Sequence, residues 1–189
     1  MKPAKNYKNE PFTLEDLKII FMKSFLNAKD LYDDACILID NSRYPRAHYL
    51  LRIACEEIGK SCITLNAICD FLVGKEINWV KFQNKIRTHR IKAELAERTS
   101  FFLQYGIEGV DIKYELDRIS NSIEPLEKFK QQSLYAEYYG EVFCAPAELF
   151  NEDALSIVKT AVDVMFSKFE PFSDIDRFIA FVKDSIAKN

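Results

Sequence analysis

The most chemically suggestive stretch of the sequence is Glu56-Glu57-Ile58-Gly59-Lys60, which sets two carboxylates and an amine inside an otherwise apolar segment. Residues four apart lie on one face of a helix, so Glu56 and Lys60 are predicted to pair. A glycine in a helix costs about 1 kcal/mol relative to alanine. Gly59 therefore predicts that another chain element or a ligand approaches the helix closely at this point.

A second polar pair, His89 and Lys92, lies three residues apart in a later segment. The apolar residues of that segment recur at spacings of four and three, and His89 falls within the series, which predicts a buried histidine. Lys92 would lie on the adjoining flank. Packing of the two helices would bring this pair beside Glu56, Glu57 and Lys60. The cluster is either a site, since perturbed polar groups mark sites, or a set of core charges that serves packing alone.

The elements that must position this cluster are predicted from hydrophobic periodicity and capping residues. The helix that carries Glu56 has an unbroken apolar seam from Leu51 to Leu72 and further apolar residues on its opposite side, which predicts a central, buried helix. The segment 111–120 is ambiguous, and 140–146 is predicted to be a loop. The predicted helices cover residues 13–39, 44–73, 78–104, a segment that opens at Pro125, 151–169 and 173–186.

Composition limits the class of protein. The chain has 189 residues, of which 48% are apolar and 29% charged, and this suits one globular domain. Only 5 glycines and 6 prolines argue against an all-β fold. The net charge of -3 predicts no overall basic surface for nucleic acid, although the run from Lys81 to Lys92 forms a local basic stripe.

Location and cofactors are also constrained. No signal peptide and no apolar stretch of about 18 residues is evident, so we expect a cytoplasmic protein without a membrane segment. The 5 cysteines are expected to be reduced. Cys55, Cys62 and Cys69 are seven residues apart along one helix, about 10.5 Å per interval, so they cannot share a metal. With 2 histidines and no tight acidic cluster, we expect no metal and no cofactor.

The stretch from Asp33 to Ser61 resembles the signature of the AbiV-type abortive-infection proteins. In that family, two helices rich in alanine and leucine flank a turn of a small residue, Arg and Tyr, and the second helix contains Glu-Glu-Leu-Gly-Lys. Arg43 and Tyr44 match the turn, and residues 56–60 match the second motif with isoleucine in place of leucine.

Two further motifs follow in the family's order. His89 and Lys92 match a histidine followed three residues later by a lysine. Lys130 and Tyr135 match a basic residue followed by Leu-Tyr-Val-Asp and a proline, although this chain has Ala-Glu in place of Val-Asp. The resemblance extends over about residues 20–165.

The resemblance implies a HEPN-type fold, which is an all-helical domain that often acts in pairs and often cleaves RNA. We therefore predict an all-α, antiparallel helical bundle, HEPN-like, with additional C-terminal helices. Residues 1–12 are predicted to be an N-terminal arm and 13–189 a single helical domain, with a C-terminal extension at about 171–189. The usual HEPN catalytic signature is Arg, four to six residues, then His. Arg43 and His48 fit it by count, although the superfamily's pair lies on a later helix.

Two functions remain open. The resemblance implies phage defence by abortive infection, acting on translation or on its phage-encoded trigger. As an effector on RNA, the chain would use His89 as general acid–base or phosphate contact, with Lys60 and Lys92 stabilising phosphate charge. Glu56 or Glu57 would orient these groups, and no metal is needed if the ribose 2′-hydroxyl attacks the phosphate. The alternative is a non-enzymatic helical module that binds a phage or host protein.

A homodimer is predicted from the amount of apolar helix surface. The segments 155–169 and 175–186 each carry an apolar stripe in addition to the seams of the central helices. This is a large apolar area for one small bundle, and HEPN-type relatives commonly pair. If the stripes only complete a single core, the chain is a monomer.

Overall fold

The computed structural model describes residues 11–106 and 108–188, and in these residues the chain is a helical bundle with one short antiparallel hairpin. The prediction of an all-α bundle is confirmed. The elements are α1 Leu14–Asp40, α2 Tyr44–Leu72, α3 Trp79–Arg87, α4 His89–Tyr105, α5 Ile112–Gln132, β1 Glu137–Tyr139, β2 Val142–Cys144, α6 Pro146–Leu149, α7 Glu152–Phe169, a 3-10 turn Glu170–Phe172 and α8 Ile175–Ala187.

α1 and α2 form a long antiparallel pair at the centre of the fold. Thr13 caps α1 with a capping box, because its side chain accepts a hydrogen bond from Asp16 N–H and the Asp16 side chain accepts one from the N–H of Thr13. In the turn between the helices, Ser42 adopts a positive φ of 54°. Sixteen of the 29 residues of α2 are buried, which confirms the predicted central helix. Its end at Leu72, shortly before Gly74, also agrees with the prediction.

Three apolar clusters surround α2. The largest joins the middle of α1 and the first half of α2 to α7 through residues such as Leu51, Ile58 and Val162. A second joins the start of α1 and the end of α2 to α3 and α8. A small third cluster, centred on Ile123, holds α5 against α4. Since this third contact is small, polar contacts contribute more to the attachment of α5 than to that of α1 or α7.

The predicted N-terminal arm lies mostly outside the described residues. Its last residue, Phe12, is buried, and its ring lies 5.4 Å from the rings of Trp79 and Phe82. Phe12 is thus part of the second apolar cluster.

The single helix predicted over 78–104 is wrong, because the structure has α3 and α4 with a break at Thr88. Thr88 lies between the two helices as the C-cap of α3 and the N-cap of α4. Its backbone is extended (φ −85°, ψ 113°). α3 packs Phe82 into the second cluster, whereas α4 packs Ala96 against α2 in the first cluster. These contacts require different helix directions, and a β-branched residue accepts the extended conformation readily.

The segments after residue 106 also differ from the sequence-based prediction. α5 begins at Ile112, where the Asp111 side chain caps the Tyr114 N–H, and it contains Pro125 in its interior instead of opening there. The predicted loop 140–146 contains strand β2 of a hairpin in which Tyr138 faces Phe143. Gly140 occupies the first position of its two-residue turn with φ 64°, which suits a glycine in a tight hairpin turn. The Asn151 side chain caps α7, whose bounds agree with the helix predicted over 151–169.

In the part of the chain that the structure describes, no helix combines the length and the apolar character needed to cross a membrane.

Candidate active site

α2 and α4 cross at Gly59, and this close crossing shapes the site. A Cβ atom on Gly59 would lie 2.1 Å from the main-chain carbonyl oxygen of Lys92. Only glycine permits this approach, so the chain element predicted from Gly59 is the first turn of α4. The crossing sets His89 and Lys92 directly beside the carboxylate of Glu56.

Glu56 is the centre of a buried charge cluster. Its side chain is only 2% exposed. One carboxylate oxygen, Oε2, lies 2.6 Å from Nδ1 of His89 and 3.2 Å from Nζ of Lys92. The other oxygen, Oε1, accepts a hydrogen bond of 2.6 Å from Nζ of Lys130 near the end of α5. Lys130 also donates to Glu127 at 2.6 Å. These five residues are called the Glu56 cluster below.

The Glu56 cluster keeps its central carboxylate ionised. Burial alone would raise the pKa of Glu56, but the hydrogen bonds from Lys130 and His89 outweigh burial and hold that pKa below its usual value. Burial alone would lower the pKa of Lys130, yet its hydrogen bonds to Glu127 and Glu56 raise that pKa instead. Glu56 and Lys130 are therefore a pair of opposite charges at neutral pH.

His89 differs from its predicted position. Its side chain is 66% exposed, so the prediction of a buried histidine is wrong. The break at Thr88 makes His89 the first residue of α4, and a helix end lies at the surface of the bundle. Nδ1 points inward to Glu56. Nε2, on the opposite side of the ring, is therefore directed to solvent.

The predicted Glu56–Lys60 ion pair is also wrong. Nζ of Lys60 instead contacts both carboxylate oxygens of Glu57, at 2.6 and 2.7 Å. The physical reason is competition, because cations from α4 and α5 already surround Glu56, and a spacing of three residues suits a pair as well as four. Glu57 and Lys60 form a partly exposed ion pair beside the Glu56 cluster.

The other residues that match the family motifs or the HEPN-type signature lie away from the Glu56 cluster, apart from Lys130. Arg43 is exposed at the start of α2, and Tyr44 contacts only its neighbour Ser42 through the hydroxyl, at 3.5 Å. Tyr135 is 61% exposed beyond the end of α5. In residues 11–106 and 108–188, neither these three nor His48 shares a hydrogen bond or ion pair with the Glu56 cluster.

Sequence reasoning missed two acidic residues, Glu127 within the cluster and Glu97 on α4. Glu127 was detectable, since it stands three residues before Lys130 on one helix face. Glu97 of α4 pairs with Arg52 of α2 at 2.7 Å, 45 positions away in the sequence, and no local spacing indicates this pair.

Within 11–106 and 108–188, no group of three or more His, Cys, Asp or Glu side chains is arranged to hold a metal ion.

The sequence matches the HEPN-type family described as AbiV over residues 16–165, which is most of the chain. The chain belongs to the AbiV family. No curated protein and no solved structure matches it significantly. AbiV membership indicates phage defence by abortive infection. The matched region contains every member of the Glu56 cluster, and α8 lies outside it.

His48 bears on the HEPN-type catalytic signature, because Arg43 and His48 have the required spacing. His48 is only 3% exposed, and its ring packs against Phe129 and Phe150 with centroid distances of 5.1 and 4.7 Å. Its Nδ1 atom has no hydrogen-bond partner. Burial, with a smaller contribution from the charge of Arg52, lowers the pKa of His48 to about 3. A neutral, enclosed imidazole of this kind is not placed to transfer a proton to a substrate in solvent.

The pKa of His48 predicts acid sensitivity. In the unfolded chain a histidine titrates near 6.5, so between pH 6.5 and about 3 the unfolded chain binds a proton that the folded chain does not. Stability must therefore fall as the pH is lowered through this window, by about 1.4 kcal/mol per pH unit at most. We expect wild type to lose about 2 kcal/mol more than His48→Phe between pH 7 and pH 5. Denaturant unfolding at both pH values measures this difference, and equal losses would contradict it.

Proposed function

We propose that this AbiV-family chain is an abortive-infection effector that cleaves RNA, with His89 as the general acid–base and Glu56 as the carboxylate that orients it. The observation that carries the proposal is the 2.6 Å contact between the buried Glu56 carboxylate and Nδ1 of an imidazole that is otherwise largely exposed. A buried carboxylate behind a surface histidine is the arrangement that fixes one tautomer and stabilises the imidazolium form.

The Glu56–His89 contact determines which nitrogen reacts. An ionised carboxylate only accepts hydrogen bonds, so Nδ1 of His89 carries the proton that Glu56 binds. In the neutral ring, Nε2 then has its lone pair directed to solvent and can accept a proton from a ribose 2′-hydroxyl. The 2′-oxygen attacks the adjacent phosphorus, and the bond from phosphorus to the 5′-oxygen breaks. The leaving 5′-oxygen takes a proton from water and Nε2 returns its own proton to solvent, so that the ring is neutral again and the products are a 2′,3′-cyclic phosphate and a 5′-hydroxyl.

Lys92 and Lys130 support this chemistry indirectly. Their side chains are only 7% and 4% exposed and both point at Glu56. They hold the carboxylate ionised and fixed, in place of the phosphate contact first expected of Lys92. Lys60 is likewise bound by a carboxylate, that of Glu57.

The first turn of α4 suits a phosphate. The Thr88 hydroxyl donates to the carbonyl of Asn84 and makes no side-chain cap, so among residues 11–106 and 108–188 the first N–H groups of α4 have no side-chain cap beside His89. Free N–H groups and the positive end of a helix attract phosphate. Arg87 and Arg90 flank this turn and are exposed. Positive charge and the reactive imidazole thus lie on the same part of the surface.

We expect His89→Gln to abolish phage protection without unfolding the protein. Glutamine can keep a hydrogen bond to Glu56 but cannot transfer a proton, and loss of a general acid–base lowers a rate by about 10²–10⁴-fold. Because His89 is at the surface, the melting temperature should change little. The measurements are plaque counts in cells and cleavage of single-stranded RNA by purified protein, with the cyclic phosphate product identified.

The controls separate chemistry from binding. An RNA with 2′-deoxyribose at the cleaved position should resist cleavage, and Lys183→Gln on the distant α8 should behave as wild type. Full protection by a folded His89→Gln variant would refute the catalytic proposal.

A second candidate is the non-enzymatic module that binds a phage or host protein. It is favoured by the exposed aromatic residues of the β1–β2 hairpin, which resemble a binding surface more than a solvated turn. On this alternative, substitutions in the hairpin abolish protection, and substitutions at His89 do not.

A further inference from the structure

A groove lies between α2, α3 and α4, beside the first turn of α4. Its volume is about 240 Å³, which is room for one planar ring of the size of a nucleobase. Ile63, Ile91 and Leu95 supply its apolar lining. Proteins hold an unstacked base by packing apolar or aromatic side chains on its faces and by hydrogen-bonding its edge. The groove has the apolar part of such a site.

Asn66 supplies a polar group for the edge of a base. It stands on α2, is exposed and lines the groove, and its amide offers both donors and an acceptor. The other polar side chains of the groove are already engaged. Arg98 pairs with Glu94, and Glu94 also accepts a hydrogen bond from Ser120. Asn66 is therefore the side chain that can bind the edge of a ring in the groove.

The charge around the groove favours a phosphate backbone. Lys85 lines the groove and is exposed on the last turn of α3. Residues 77–93, which include α3 and the first turn of α4, contain no Asp or Glu. Within the part of the chain that the structure describes, Glu94 is the one acidic residue of the groove lining, and its pairing with Arg98 offsets its charge. A polyanion is attracted to a surface of this kind.

The first turn of α4 connects the groove to His89. Successive residues of an α-helix are turned by about 100° and rise by about 1.5 Å. Arg90 therefore stands between His89 and Ile91 around the helix, and the three span a rise of about 3 Å. All three are exposed. A strand that crosses this turn passes from His89 over Arg90 and reaches the groove at Ile91.

We infer that the α2–α3–α4 groove is a base subsite for single-stranded RNA and that it selects adenine. The inference rests on the proposed RNA cleavage at His89. The cleaved phosphate lies at His89, Arg90 and Lys85 bind phosphates on the groove side of it, and a base beyond them enters the groove.

The choice of adenine follows from the Asn66 amide. Its oxygen accepts a hydrogen bond from the exocyclic amine of adenine, and its nitrogen donates one to N7, which is the usual pairing of asparagine with this base. Guanine has two acceptors on the same edge, and the pyrimidines have no N7. Asn66 is thus a specificity-determining residue and takes no part in proton transfer.

The first test measures binding apart from cleavage. The probes are short labelled RNAs of cytidine alone, of alternating cytidine and adenosine, and of alternating cytidine and uridine, titrated with His89→Gln protein in fluorescence anisotropy. We expect the strand with adenosine to bind about five- to tenfold more tightly than the other two, at the lower end of what a two-bond contact to a base contributes. A strand with 7-deazaadenosine, which lacks N7, should lose most of this preference.

The second test removes the amide. Asn66→Leu, added to His89→Gln, keeps the size of the side chain and should bind all four strands with equal affinity. It should be insensitive to the 7-deaza change, because two alterations of one contact are not additive. Asn27→Leu makes the same substitution at an exposed position of α1 and is the matched control. It should retain the preference for adenosine.

The third test concerns the phosphate contacts. Arg90→Gln and Lys85→Gln should weaken the binding of every strand alike, since a phosphate carries no sequence information. Each should also reduce the slope of log affinity against log salt by about 0.7, the value for one phosphate of a single strand. Lys183→Gln on α8 should leave the slope unchanged.

The outcomes separate this inference from the proposed function. Wild type that cleaves RNA without base preference refutes the subsite and leaves RNA cleavage standing. A preference for adenosine that survives Asn66→Leu also refutes it, because the groove then does not read the base. If the preference depends on Asn66 but wild type cleaves no RNA, the catalytic proposal fails and the subsite stands. If neither wild type nor His89→Gln binds RNA, both are refuted.

Discussion

Replacing Glu56 with glutamine is expected to lower the free energy of unfolding by about 3–5 kcal/mol, because it leaves buried cations without a counter-charge. Lys92 and Lys130 both point at Glu56 with side chains less than one-tenth exposed. Of the two, Lys130 keeps Glu127 as a partner, whereas Lys92 loses the only ion-pair partner that it has among the described residues.

The neighbouring residue offers a matched control. Glu57→Gln makes the same change one position along α2, but its partner Lys60 is 23% exposed and can turn to water. We expect this control to cost about 1 kcal/mol or less, as for a partly exposed pair. The double variant Glu56→Gln/Lys92→Met should recover part of the loss, because it removes the stranded charge. Denaturant unfolding of the four proteins tests this, and equal costs for Glu56→Gln and Glu57→Gln would contradict it.

The pH dependence gives a further check on Glu56. Its pKa is lowered in the folded state, so its contribution is fully present above the pKa of an unfolded glutamate and is lost as the pH falls through the folded value. The difference in stability between wild type and Glu56→Gln should therefore be constant near neutral pH and shrink in acid. A difference that grows as the pH falls would have the wrong sign for this cluster.

Local patterns predicted the central part of the fold. α2 was recognisable because its seam runs through seven apolar residues at spacings of four and three, and its C-terminal end falls where the sequence loses that pattern. Thr13 and Asn151 were recognisable as helix caps from side-chain chemistry alone. These features depend on neighbours a few residues away, and such neighbours are visible in a sequence.

The position of His89 could not be obtained in that way. The apolar spacing of α3 continues into α4 without a glycine or proline, and the break at Thr88 arises because the two helices pack on different parts of α2 and α1. A tertiary contact thus overrode a local pattern, and it moved His89 from the core to the surface. This difference matters, because only an exposed imidazole can meet a substrate.

The partners of Glu56 were predictable only in part. Two of its three partners, His89 and Lys92, were expected near it from the packing of the two helices. The third, Lys130, lies 74 positions away in the sequence, and only the family resemblance drew attention to it. Lys60, the nearest cation in sequence, proved to be the partner of Glu57. Spacing identifies which charges can pair, but competition among several partners decides which of them do.

Gly59→Ala is expected to destabilise the protein, although the same change in most helices is stabilising. Alanine gains about 1 kcal/mol of helix propensity over glycine. Its Cβ would, however, lie 2.1 Å from the Lys92 carbonyl oxygen, and a main-chain atom cannot rotate away as a side chain can. The helices must separate, and overpacking of this kind costs about 1–3 kcal/mol or more. A contact this short belongs at the upper end of that range, so after the gain in propensity we expect a net loss of about 2 kcal/mol, or roughly 4–8 °C in melting temperature.

Asn66→Ala is the matched control for Gly59→Ala, because Asn66 is exposed on the same helix and the substitution makes the same kind of gain in propensity. Asn66→Ala should melt at or slightly above the temperature of wild type. Separation of α2 and α4 should also lengthen the Glu56–His89 contact, so the His89 ring signals in NMR spectra should shift in Gly59→Ala and stay unchanged in Asn66→Ala. A Gly59→Ala protein that melts no lower than wild type would mean that the two helices do not cross this closely. The carboxylate of Glu56 would then have to reach His89 by another route, because the crossing at Gly59 is what sets the first turn of α4 over it.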